Sequence, residues 1–577
     1  MPRHLRFALG DASVGLALLA GLAACSSHDV TGPELPPDAV TLIPGATAYV
    51  INGQQIELVG GTSGGEYLLV VTDTVTGATG ASSYQVASSG ILAPGSVSAP
   101  STSIAPSAGP SLDVLARAAA PVLDIGFGMR LSERARPRLV PLFESARQTA
   151  AARRLAASSA QRSILAASAP SVGTIITYNV SDNACDAPTY HPARIMAVGT
   201  RAIVAADTLN PAGGFTTADY QRFAASFDTL VFPIDSTNFG APSDLDQNGH
   251  VVILFTRAVN ALTPPNSSFF VGGFFYDRDL FPKTATPRLP ACAGSNEAEM
   301  FYMLAPDPNG AVNGNVRTKG FVDSLTTGVL GHEFQHLINA GRRIYVNNAS
   351  DLETVWLNEG LSHIAEELLF YRQSGFSPRQ NINATTLRAS SAAVNAFNAY
   401  QGSNVGRYDE YLKAPSTSSP IRDDDSLSTR GATWSFLRYA ADRKLRNGGT
   451  ESDVWQALVN SQSVGISNLR GVLTTDVGGW IRDWSVSHYT DDLVASASAD
   501  FTQPSWNWHS IYPALNGNPA YPLVVKPMSG ASTTGTVIPG GAAFYRFAVP
   551  ANTMAALTLS GGSTQTGVVH GTVVRIR

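Results

Sequence analysis

The sequence predicts a multidomain α+β protein, in which a mixed sheet and a helical half are flanked by small β-sandwich domains. Three observations predict it. The chain has 577 residues, too many for one domain and enough to bury a large core. Both flanks alternate apolar and polar residues between glycine turns, the period of half-buried strands. The centre instead places Val322, Leu325, Val329, Leu330, Phe334, Leu337 and Ile338 at three and four spacing, the period of a buried helix.

Residues 1–24 read as an export signal. Arg3 and Arg6 form a short basic region, and the apolar stretch from Val14 to Ala24 is too short to span a bilayer. It ends in Leu22-Ala23-Ala24-Cys25, which resembles the bacterial lipobox. The resemblance implies cleavage before Cys25 and its lipidation. The expectation is a lipid-anchored protein of the bacterial cell envelope, in the outer membrane because Ser26 and not an aspartate follows. A plain secretory signal with a chance cysteine is the alternative.

Residues 25–38 form a tether rich in Ser, Pro and Gly. Residues 39–94 read as a β-sandwich-like domain, with strand patterns such as Tyr67-Leu68-Leu69-Val70-Val71. Residues 95–131 are a Ser/Ala/Pro-rich linker. Residues 132–170 are rich in Ala and Arg and helical, and serve either as a spacer or as an inhibitory or processed segment. Residues 171–500 form the central domain. Strands are expected at 173–180, 193–206, 251–255 and 300–304, and helices at 217–229, 431–443 and 477–488. Residues 518–577 alternate again, at 543–549 and 555–559, and read as a second β-sandwich-like domain.

Composition narrows the class. Charged residues are only 14%, and the net charge is −5 with a pI near 6.1. That leaves no electrostatic case for nucleic acid. Oligomeric state is not legible. Three cysteines fit an exported chain. Cys25 goes to the lipid, and Cys185 and Cys292 remain for a disulfide, with two buried thiols as the alternative.

The chemistry sits in Gly331-His332-Glu333-Phe334-Gln335-His336 and Trp356-Leu357-Asn358-Glu359-Gly360. Histidines four apart share one helix face, so His332 and His336 can grip one zinc ion. Glu333, one position on, can act on a water at the metal. Glu359 supplies a third ligand from the next apolar helix, marked by Leu361, Ile364, Ala365, Leu368 and Leu369. Three protein ligands leave a place for water, the mark of a catalytic zinc site. Gly341 is the expected stop of the first helix.

These residues also carry a family resemblance. His332 to Asn339 with Trp356 to Ser362 resembles the gluzincin group of metallopeptidases, and within it the hyicolysin-like neutral zinc metallopeptidases. The resemblance implies a thermolysin-like gluzincin catalytic domain. It implies that His332, His336 and Glu359 hold zinc and that Glu333 is the general base. The expected activity is an exported zinc-dependent metalloendopeptidase acting on protein or peptide substrates through a zinc-activated water. Such enzymes usually add a tyrosine or histidine that steadies the oxyanion; Tyr408, Tyr411, Tyr439 and His488 are candidates. His363 lies where relatives often have an aspartate that braces a zinc histidine, and Asn339 and Asn358 are candidates for the same polar surroundings. The segment 300–304 is the candidate cleft-bordering strand.

Two alternatives stay open. The Trp-Leu-Asn-Glu-Gly piece also resembles zinc aminopeptidases, whose amine-binding glutamate has a counterpart only in the loose stretch 295–302. The chain also reads as a surface adhesion lipoprotein with an inactive peptidase-like domain. Separately, Asp244-Leu245-Asp246-Gln247-Asn248-Gly249 matches the opening of a calcium loop but lacks the closing glutamate. Asp244, Asp246 and Asn248 are candidate calcium ligands, to be completed by a carboxylate such as Asp235; a plain turn is the alternative.

Overall fold

The computed structural model describes residues 39–51, 53–77, 80–95, 122–124, 126–157, 169–285, 291–347, 349–515, 520–530, 532–561 and 569–577. Cys25, the signal, the tether and most of the linker lie outside the described residues. Among the described residues no helix is long and apolar enough to cross a membrane. The architecture is mixed α+β with several sheets.

The two flanks are not two domains. Their strands interleave in one β-sandwich. One sheet runs Gln55–Val59, Met554–Gly561, Ser82–Ser89, Ser532–Val537, and the other Val525–Pro527, Ala542–Val549, Gly65–Asp73, Val569–Arg575, Thr47–Ile51. Gly65–Asp73 is central, antiparallel to Ala542–Val549 on one side and to Val569–Arg575 on the other. The sequence reading of separate sandwiches at 39–94 and 518–577 is therefore corrected. Neither flank has enough strands to cover both faces of a core. Tyr67, Leu69 and Val71 bury against Phe547, Val549 and Leu557 only when both are present. Leu68 and Val70 point the other way and pack with Val486 of the helix Val477–Thr490, which docks the sandwich on the central domain.

The central sheet has six strands in the order Gly273–Phe275, Met300–Leu304, Val251–Thr256, Ala202–Asp207, Tyr190–Val198, Ile175–Asn179. Its middle is parallel and its edges antiparallel. Val251–Thr256 is buried at every residue, as its unbroken apolar run predicts for a strand covered on both faces. Met300–Leu304 is likewise interior, so the expectation that it borders the cleft is corrected. Gly273–Phe275 lies outside it. Three residues of Gly-Phe-Phe give no alternation for a pattern to find.

Cys185 and Cys292 are joined by a disulfide. Two further boundaries move. The helix expected from 132 begins at Phe127 and runs to Ala157, and Met129 and Leu131 are buried, so the last part of the supposed linker is structured. Trp506, Trp508, Ile511 and Tyr512 belong to the central core, which extends that domain past residue 500.

Candidate metal centre

Two helices build the site. The first, Lys319–Tyr345, carries His332, Glu333 and His336, and the second, Val355–Ser374, carries Glu359 one turn from its start. Both are wedged in the core: Val329, Leu330, Phe334, Leu337, Leu357, Leu361 and Ile364 are almost wholly buried. Gly341 does not end the first helix. It is there for close packing, since a side chain at that point would run into Ser243. Gly360 likewise lets the second helix press on Thr433 of the helix Leu427–Lys444. Rigid helices hold donor atoms to the tolerance a metal needs.

The donors converge. His332 Nε2 and His336 Nε2 are 3.1 Å apart, His332 Nε2 and Glu359 Oε2 3.4 Å, and His336 Nε2 and Glu359 Oε1 3.8 Å. Donors ~2.0–2.1 Å from a tetrahedral zinc sit roughly 3.3 Å from one another. Neither oxygen of Glu359 accepts a hydrogen bond, although the residue is fully buried. A buried carboxylate that accepts no hydrogen bond is costly to desolvate, and a cation between these three side chains offsets that cost. The donor set therefore fits a divalent metal.

The outer faces of the histidines are fixed. His332 Nδ1 is 2.8 Å from Glu366 Oε1. A carboxylate there accepts a hydrogen bond from Nδ1–H and leaves the Nε2 lone pair turned inward. Ser362 Oγ has its one hydrogen within reach of Gln335 Oε1 at 2.7 Å or Asn358 O at 3.0 Å, so it accepts from His336 Nδ1 at 3.0 Å. Asn339 Nδ2 donates to Asn358 Oδ1 at 2.9 Å, so these two do join the same polar surroundings. His363 does not occupy the expected bracing place. Its Nδ1 is 3.2 Å from Glu366, and Glu366 is the group that reaches His332. His332, His363 and Glu366 form a second group able to hold a metal, but Glu366 is already shared between the two rings.

Sequence reasoning missed Glu366, Ser362 and Arg430. Glu366 lies two turns after Glu359, on the same helix face, which is the signal that could have found it. Arg430 brings a buried cation to 3.9 Å from Glu359 Oε2 and pairs with Asp425.

Electrostatics follow from this packing. Burial alone would raise the carboxyl of Glu359, but Arg430 and the two histidines hold it well below the usual range. Burial would lower His332, yet the carboxylates of Glu359 and Glu366 prevail and lift it to about 9. Burial and the neighbouring His332 push His336 down to about 3. Burial drives Glu333 up to about 8, against the pull of His332 and of the Phe275 N–H. Glu333 Oε2 accepts that N–H at 2.8 Å, while Oε1 has no partner.

Other expected residues lie elsewhere. Tyr408 OH meets His488 Nδ1 at 3.0 Å within an aromatic cluster, Tyr411 stacks on Trp484, and Tyr439 donates to Asp500 O at 2.7 Å. These four have packing roles, and the oxyanion expectation for them is corrected. Asp244, Asp246 and Glu299 come together as a third group able to hold a metal, so Glu299 and not Asp235 is the added carboxylate. Asp235 is buried on the helix Phe232–Phe239, packed against the first motif helix. The loop's oxygens are engaged: Asp244 Oδ1 accepts from Gly249 N at 3.1 Å, Asp246 Oδ2 from Asn248 Nδ2 at 2.6 Å, and Asn248 Oδ1 from His250 N at 2.6 Å.

Helices that aim histidine and glutamate at one buried point form a centre able to hold a metal. Comparison with known proteins points the same way. The neutral metalloprotease ShpI of Staphylococcus hyicus is 26% identical over 262 residues, covering 44% of this chain and 56% of that protein. The chain thus spans about half the length of the curated relative it matches. No protein-family model matches it. The similarity is thus to a metalloprotease, and the buried histidine–glutamate groups are compatible with a bound metal.

Proposed function

We propose that this chain is a zinc-dependent endopeptidase with the gluzincin, hyicolysin-like arrangement. His332, His336 and Glu359 hold zinc, and Glu333 is the general base. The observation that carries the reading is the set of three donor separations, 3.1, 3.4 and 3.8 Å, around a buried glutamate whose oxygens accept no hydrogen bond.

Zinc, when bound, would polarise a peptide carbonyl and make a water acidic towards ~7. The protein does the rest. Glu333 Oε1 accepts the proton of the attacking water and returns it to the leaving nitrogen. The Phe275 N–H fixes the other oxygen, so the base does not rotate away. Glu366 and Ser362 keep both imidazoles in the tautomer that presents Nε2. The edge strand Gly273–Phe275 offers backbone groups to an extended substrate, which pairs as an added strand. Among the described residues, the two glutamates of the stretch that could serve the aminopeptidase alternative are engaged with backbone. Glu297 accepts from Lys283 N and Glu299 from Leu245 N, away from the ligand set.

Peptide-library cleavage followed by mass spectrometry, with and without chelator, tests the reading. Internal cuts that vanish with chelator and in Glu333→Gln are expected. Cuts that survive both would overturn it. The lipobox resemblance extends the proposal to a lipid anchor at Cys25 in the bacterial envelope. Cys25→Ser should release the chain from membranes, and continued membrane association would refute the anchor.

A further inference from the structure

We propose that residues 122–124 and 126–142 are an intramolecular cover that keeps the metal centre shut, and that the first part of this segment must swing aside before a substrate enters. The inference rests on the zinc-peptidase reading above. Four observations carry it.

First, the centre is closed. His332, Glu333 and Glu359 are 0% exposed and His336 2%. A peptidase that acts on a polypeptide chain needs a path to these atoms. Second, this segment supplies the roof. Gly126 lies so close to Arg430 that any side chain there would strike the guanidinium. Met129 Sδ meets Asn358 Nδ2 at 2.8 Å, beside the ligand Glu359. Phe127 packs on Phe274 with ring centroids 5.3 Å apart.

Third, the segment sits where a substrate would lie. Val122–Leu123 pairs in parallel with Phe269–Phe270, and Asp124 N donates to Phe270 O at 2.7 Å. Gly128 then presses on the backbone of Phe275, the residue whose N–H holds Glu333. The cover therefore runs along the edge strand that the proposed mechanism assigns to substrate. A cavity of about 600 Å³ remains beside it, walled by Asp124, Phe127 and Arg130 of the cover and by Leu262, Val355 and Asp425 opposite.

Fourth, the attachment is thin at one end and firm at the other. Besides the contacts of Gly126, Phe127 and Met129, the front end has a two-residue strand and one chain of charges, in which Arg130 bridges Asp124 and Asp425, and Asp425 pairs with Arg430. Arg130 is itself 43% exposed, so solvent weakens that link. Beyond it, Leu131, Ala135, Leu139 and Leu142 are buried in the central core, and Ser132 Oγ donates to Asp277 at 2.8 Å. Opening thus hinges near residue 130, with the helix beyond left in place.

The test uses the zinc-loaded full chain and the rate at which a chromophoric chelator removes the metal. Arg130→Asp sets three carboxylates together and should speed release at least tenfold. Leu123→Cys with Phe270→Cys, oxidised, ties the cover down and should slow release at least tenfold, with recovery on mild reduction; wild type through the same reduction is the control. Equal rates in all three proteins would overturn the cover. Cleavage of a quenched peptide is scored in parallel. Fast release by Arg130→Asp without any cleavage would support the cover and overturn the peptidase reading, so the two fail separately.

Discussion

The motif helices and the loop 244–249 both gather the side chains of a cation site, yet they differ in what the donors already hold. Around Glu359 the carboxylate is buried and accepts no hydrogen bond, and the imidazole nitrogens face one another across 3.1 Å. Around Asp246 the carboxylate oxygens accept from Asn248 N and Asn248 Nδ2, and Asp244 accepts from Gly249 N. The helices have spent their backbone N–H groups on one another, which leaves side-chain acceptors free. The loop has not, and its acceptors satisfy the turn. An Asp/Asn/Gly turn and a calcium loop share one sequence pattern, and here the acceptors already take hydrogen bonds within the turn.

The largest effect that can break this contrast is on catalysis. In the Arg130→Asp background, Glu333→Gln should lower peptide cleavage by about 10²–10⁴-fold, the usual worth of a general base. Its zinc content should not change. Retained cleavage would remove Glu333 from the mechanism.

Next in size is the brace. Glu366→Gln should weaken zinc binding by roughly 10–100-fold, as loss of a carboxylate behind a ligating histidine does elsewhere. Competition with a chromophoric chelator measures it. Asp246→Asn, treated the same way, should leave zinc affinity untouched.

Calcium sharpens the comparison from the other side. Because the loop's acceptors are engaged, millimolar calcium should change the melting temperature little. A rise of several degrees, lost in Asp246→Asn, would show that the ion displaces the turn's own hydrogen bonds.

The last comparison concerns a buried carboxyl with no metal beside it. Asp491 is pushed up to about 8 by burial and by Asp492. The unfolded chain releases this proton near ~3.9. Between those values the native state holds a proton that the unfolded state lacks, so this contribution to stability is complete below about pH 4 and fades as pH rises through 8. Calorimetry at pH 5 and pH 8 should show a fall in wild-type stability that Asp491→Asn reduces. An identical fall in both proteins would contradict it.

How much could be read in advance follows from how local each feature is. His332 and His336 were legible because four residues set their geometry on one helix. Glu359 was legible through the Trp-Leu-Asn-Glu-Gly resemblance, not through spacing. Glu366 went unread, because its place on the Glu359 face of the helix is a signal only once Glu359 is known to face the zinc histidines. The long buried strand Val251–Thr256 announced itself, whereas Gly273–Phe275 was too short to do so. Alternation revealed the strands of both flanks but not that Ala48 pairs with Val573, a contact between the two ends of the chain. For Tyr408, Tyr411 and Tyr439 the sequence left an oxyanion role and plain packing side by side, and only their burial in the aromatic core favours packing.

Metal content tests the central claim most directly. Purified full-length chain, dialysed against zinc and analysed by atomic absorption, should carry one zinc per molecule, and Glu359→Ala should carry far less at the same free zinc. A full equivalent of zinc in Glu359→Ala, bound as tightly as in wild type, would contradict the ligand set on which this account stands.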